Sequence, residues 1–130
     1  REKLRGHLAA VSQRLTAAQN EDGSWTRNWP LGAAARGNSN DNKYDRILVT
    51  GHHLEWLALA PPEVLPPRET LVRAGQWVAR AMLEESDSSL LKHYGPFSHA
   101  SRALCLWRSK EPFELWQAAQ QEEPAEHNAQ

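Results

Sequence analysis

Residues 19–25 read QNEDGSW, and they follow directly on LTAA, Leu15 to Ala18. Upstream, Leu4, Leu8, Val11, Leu15 and Ala18 recur at steps of four, three, four and three. That spacing draws one apolar stripe on an α-helix over about residues 3–19. Arg5, Ser12, Gln13 and Thr16 fall off the stripe, and Asn20 stands where a left-handed cap residue is favoured. Residues 20–45 are different. They carry Gly23, Pro30, Gly32, Gly37 and the run NSNDN, a connection far longer than the usual ~4–6 residues. Loops of that length in compact domains tend to be functional or mobile. A short helical turn over Ala33–Arg36 fits inside this one.

Beyond the loop, Asp45 is placed to cap a second helix from about Arg46 to Ala60. Ile47, Leu48, Gly51, Leu54, Trp56, Leu57, Ala58 and Leu59 leave it only a narrow polar face, which assigns it to an interior. Pro61 and Pro62 stop it. Pro67 suits the first position of a third helix over about 67–85, with Glu69 in the first turn. Its stripe is Leu71, Gly75, Val78 and Met82. ESDSSLLKHYG reads as a loop, and Gly95–Pro96 opens a fourth helix through Phe97, Ala100, Leu104 and Trp107. A last short helix can start at Pro112, and QEEPAEHNAQ reads as a frayed polar tail. No strand-like alternation of useful length occurs, so the expected class is all-α. The expected organisation is one domain over 1–118, followed by a tail over 119–130. It holds two helical hairpins, about 3–60 and 67–108.

Composition narrows the function classes. Net charge is -1, from 15 basic and 16 acidic residues. That balance gives no electrostatic reason to expect nucleic acid or an anionic membrane as partner. No apolar run approaches the ~20 residues of a membrane span. The single cysteine, Cys105, excludes an internal disulfide. The start, REKLRGHL, has neither an initiator Met nor a signal-peptide core, so the chain reads as part of something longer. Localisation and oligomeric state stay open.

The two hairpins resemble each other. GHHLEWLAL (51–59) and SHASRALCL (98–106) share a small residue and His at the start and Leu-small-Leu at the end. The offset from position 52 to position 99 is 47 residues, within the range of stacked two-helix units. The second and fourth helices are expected inside, the first and third outside. Two hairpins bury less than a full array, so the ends should expose apolar surface or pair with further repeats of the parent chain or a protein partner.

With helix one ahead of it and a buried helix behind it, QNEDGSW resembles the repeat of the α/α-toroid superfamily, which includes squalene–hopene cyclases and protein prenyltransferase β-subunits. That repeat ends an outer helix with Gln-x-x-Asp-Gly-x-Trp, and Gln19, Asp22, Gly23 and Trp25 match it in full. The resemblance implies that the Gln bonds backbone groups at a helix end with the Trp ring packed over it. It also implies that Gly permits the sharp turn and that Asp bonds amides within it. The second hairpin matches only in its helical pattern. The cyclase motif Asp-x-Asp-Asp is absent, since NDNKYD sets Asp41 and Asp45 at a different spacing. The zinc set of the prenyltransferases is absent too. The resemblance therefore bears on the fold and not on an activity.

His52 and His99 are the sharpest candidates for a ligand-facing group, joined by Asp41 and Trp29 from the long loop. The two histidines hold equivalent positions on the two inner helices, where imidazoles can bind a metal or move a proton. The plainer reading has each bonded to a backbone carbonyl within the packing. Two recurring donors are too few for zinc, so no metal and no cofactor are assigned, and no catalytic set is recognised. His53 points about 100° away from His52. Glu55, three residues after His52, is its neighbour on the helix. It can form an acid/base pair with it or an ordinary salt contact with an arginine. His93 and Tyr94 can line the same end of the bundle as Asp41 and Asp45. Cys105, within LCL, reads as a small core residue with an inert thiol. Six tryptophans, Trp25, Trp29, Trp56, Trp77, Trp107 and Trp116, suit helix packing or an aromatic cavity.

These observations leave two functions open. One is a helical-repeat scaffold or interaction domain of a larger protein. The other is a fragment of an α/α-barrel enzyme acting on an isoprenoid or a saccharide. The absence of a recognisable catalytic set leans the reading towards the first.

Overall fold

The computed structural model describes residues 1–29 and 42–110. The expected turn at 33–36, the expected helix from Pro112, Trp116 and the tail lie outside them. Among the described residues, five α-helices run in the order α1 (Glu2–Ala18), α2 (Lys43–Leu59), α3 (Arg68–Leu83), α4 (Asp87–Lys92) and α5 (Tyr94–Lys110). A 3-10 turn over Pro62–Val64 joins α2 to α3. No strand occurs among the described residues. The class is all-α.

α2 is the centre of the molecule. It packs along α5 and also against α3. Ile47, Leu54 and Leu57 from α2 cluster with Leu71, Ala74, Val78 and Ala81 from α3 and Phe97, Ala100 and Ala103 from α5. The α2–α5 seam is close because both partners are small where they touch. A Cβ added to Gly51 would lie 3.0 Å from the Cα and N of Ala100. Across the seam, the Trp107 indole N–H donates to the Leu54 carbonyl at 2.8 Å. α1 sits differently from the outer helix of a regular pair. It packs against the 3-10 turn that joins α2 to α3. Its Leu4 is 62% exposed while its Leu15 is fully buried.

The 19–25 corner ties α1 to the other helices. Gln19 Nε2 donates to the Gly23 carbonyl at 3.0 Å and to the Thr70 carbonyl of α3 at 2.8 Å. Asp22 Oδ1 accepts from the Ser24 N–H and hydroxyl, and Arg46 of α2 bonds both Asp22 and Ser24. Arg73 of α3 donates to the carbonyls of Asn20 and Glu21. Trp25 is fully buried. Its indole N–H donates to the Leu15 carbonyl at 2.8 Å and its backbone N–H to Thr50 Oγ1 at 2.9 Å. Gly23 has φ +96°, and an added Cβ would stand 2.5 Å from the Arg73 carbonyl oxygen. Only glycine fits there, both for its backbone angle and for the space.

Several local expectations are corrected. Asn20 is not left-handed: Gly23 alone has positive φ among the described residues, so the turn is delayed by three residues. Asn42, not Asp45, caps α2. Its Oδ1 accepts from the Asp45 N–H at 2.9 Å and its Nδ2 donates to Asp45 Oδ2 at 3.0 Å. Asp45 lies in the first turn of α2 and pairs with Arg27 at 2.6 Å. Pro67 precedes α3 rather than opening it. ESDSSLLKHYG is not a plain loop. Ser86 caps the six-residue α4 by accepting from the Ser89 N–H. Cys105 is exposed rather than buried, because the face of α5 that packs on α2 is carried by Phe97, Ala100 and Ala103.

Candidate functional site

Gly51 and Ala100 bring the backbones of α2 and α5 together, so the residues beside them, His52 and His99, flank one seam. Their ring centroids are 4.0 Å apart with the planes tilted by 41°. Glu55 follows His52 by one helical turn and reaches the same point. His99 Nδ1 lies 3.1 Å from Glu55 Oε2, and His52 Nδ1 lies 3.7 Å from the same oxygen. The other carboxylate oxygen, Oε1, accepts from Arg102 Nε at 3.0 Å. One donor atom from each of His52, Glu55 and His99 lies within 4.8 Å of the other two. The Glu55 side chain is only 14% exposed, whereas His52 and His99 are 48% and 40% exposed. The cluster thus has a partly buried acidic floor and a more open imidazole rim.

Its electrostatics follow from the arrangement. Burial and the neighbouring His99 push the His52 pKa down, and Glu55 opposes them only in part. His52 is therefore held as neutral imidazole at pH 7, with a nitrogen lone pair available. Arg102 divides the carboxylate, taking Oε1 and leaving Oε2 facing both rings.

His53 belongs to a separate environment. It accepts from the Trp56 indole N–H at Nδ1, 3.2 Å. The rings of Trp25 and Trp29 stand edge-on to it, with centroids 5.4 Å and 4.9 Å away. That bond puts the neutral ring's proton on Nε2, which is buried with no hydrogen-bond partner among the described residues. Burial, then the charge of His52, lower the His53 pKa to about 4.

Of the four residues singled out as ligand-facing, His52 and His99 are brought together. Trp29 packs on His53 instead, and Asp41 lies outside the described residues. His93 stacks on Tyr44, ring centroids 3.6 Å apart, and Tyr94 is exposed. Asp45 is taken up by Arg27 and Asn42. Both readings of Glu55 meet in one place, since it contacts the histidines and an arginine together. Arg102 was not singled out. Its signal was available, because it stands three residues after His99 as Glu55 stands three after His52.

Comparison of the chain with protein-family models, with curated proteins and with solved structures found no match. No helix among the described residues is long and apolar enough to cross a membrane.

Proposed function

We propose that the chain is a helical-hairpin scaffold of the α/α-toroid type, whose apolar ends engage further repeats of the parent chain or a protein partner. The observation that carries this reading is the 19–25 corner. Gln19 bonds backbone carbonyls, Gly23 makes the left-handed turn, Asp22 accepts from the Ser24 amide and Trp25 is buried. Those are the roles the resemblance assigns to these residues, and the Trp25 indole N–H also bonds the Leu15 carbonyl of α1. The α2–α5 seam adds support, since inner helices of successive hairpins pack side by side in such arrays. Leu83 and Leu91 are 85% and 82% exposed and Tyr94 is 73% exposed, which suits surfaces that other helices cover. The test is sedimentation equilibrium of the chain against its Leu83→Asp/Leu91→Asp variant. Self-association that the double variant removes, with helicity unchanged, supports the reading. A chain that is monomeric throughout and binds no added flanking segment of its parent contradicts it.

One observation favours the enzyme reading, in which the chain is part of an α/α-barrel catalyst with further catalytic residues supplied by other repeats. It is the convergence of His52, Glu55 and His99 on one seam between the two central helices. Binding of an isoprenoid diphosphate or an oligosaccharide that His52→Ala abolishes would favour that reading over the scaffold.

A further inference from the structure

We infer that His52, Glu55 and His99 form a binding site for one divalent zinc ion. The inference concerns the α2–α5 seam alone and does not rest on the toroid reading. Two imidazole nitrogens and one carboxylate oxygen are the donor set that zinc takes in three-ligand open sites. Donors held at ~2.0–2.1 Å around a tetrahedral ion stand about 3.4 Å apart. The observed separations of 3.1 Å and 3.7 Å from Glu55 Oε2 to the two Nδ1 atoms fall on either side of that value.

The supports of the ligands are also in place. His52 and Glu55 sit at i and i+3 on one helix, so their relative position is fixed by a single turn. His99 is set against them by the tight Gly51–Ala100 crossing. Arg102 holds Glu55 Oε1 at 3.0 Å, which orients the carboxylate and leaves Oε2 to the metal, as an outer partner does in built metal sites. Its positive charge opposes the cation, so the site is expected to be weaker than one with a free carboxylate. The exposed rims of His52 and His99 leave the fourth position to water. Neutral imidazole binds zinc through one nitrogen and keeps its proton on the other, so loading the site removes no proton from a neutral histidine.

The alternative for the same atoms is a hydrogen-bonded network of His99, Glu55 and Arg102 that takes no ion. Equilibrium dialysis of the metal-stripped chain against ZnCl2, in a Cys105→Ser background that removes the exposed thiol, separates the two. The expected result is one zinc per chain, with affinity reduced at least ~10–100-fold in His52→Ala and in His99→Ala and unchanged in His93→Ala. Both ligand histidines are partly exposed, so the variants should fold, and circular dichroism checks that they do. Cobalt provides a second readout. Co2+ should give the intense visible bands of a tetrahedral site in the parent chain and lose them in Glu55→Gln. A folded chain that takes up no zinc overturns the proposal. So does zinc uptake that His52→Ala and His99→Ala leave unchanged.

Discussion

Replacing Gly23 with alanine concentrates the strain of the 19–25 corner on one atom. Gly23 sits at φ +96°, and holding a residue with a side chain in such a region costs about 1–3 kcal/mol. The new Cβ would also lie 2.5 Å from the Arg73 carbonyl oxygen and 2.7 Å from its carbon. Those are backbone atoms of α3 and cannot rotate away, so the corner and α3 must separate. The separation stretches the Gln19–Thr70 bond and the bonds from Arg73 to Asn20 and Glu21, each worth about 1 kcal/mol. With all three bonds lost the total is about 4–6 kcal/mol, a large part of the ~5–15 kcal/mol that holds a typical domain. Urea unfolding followed by helical circular dichroism measures it. Gly75→Ala is the matched control. Gly75 lies within α3 with nothing within 4 Å of an added Cβ, so alanine there should stabilise by about 0.5–1 kcal/mol. A Gly23→Ala chain within about 1 kcal/mol of the parent would refute the reasoning, because neither the backbone angle nor the close contact would then be as described.

Gly51→Ala should cost about 1–3 kcal/mol through overpacking, since its Cβ would meet the Ala100 backbone at 3.0 Å. A urea titration giving no loss would mean the seam has slack. Stability of the metal-free chain should fall with acid through His53. Its folded pKa, about 4 from burial and then the His52 charge, lies below the ordinary 6.5. The contribution is therefore complete above pH 6.5 and is lost as pH falls towards 4. Its upper size is about 3 kcal/mol, and His53→Gln should flatten the stability profile across that window.

The long elements were legible because their apolar stripes are long. Leu15, Leu54, Leu57, Leu71, Val78 and Phe97 all lie on stripes readable from the sequence, and all are buried. α4 was missed because six residues complete fewer than two turns, too short for a period to show. Its Ser86 cap was the available signal. Asn42 was passed over for Asp45 because both side chains can cap, and the choice depends on where the loop releases the chain. Cys105 was misplaced because LCL in an apolar helix says nothing about which side faces α2. That orientation is set by where the small residues Gly51 and Ala100 meet. The pairing of His52 with His99 was suggested by their equivalent positions in the two hairpins. The third donor could not be chosen on sequence grounds alone, because Glu55 is equally placed for a histidine and for an arginine on another helix.

The most direct measurement is a nuclear Overhauser spectrum of the isotope-labelled chain, read for contacts across the α2–α5 seam. The account predicts cross-peaks between the Gly51 α-protons and Ala100, and between the ring protons of His52 and His99, whose centroids lie 4.0 Å apart. Folded helices with neither set of cross-peaks would contradict it, because the seam that positions the candidate site would not exist.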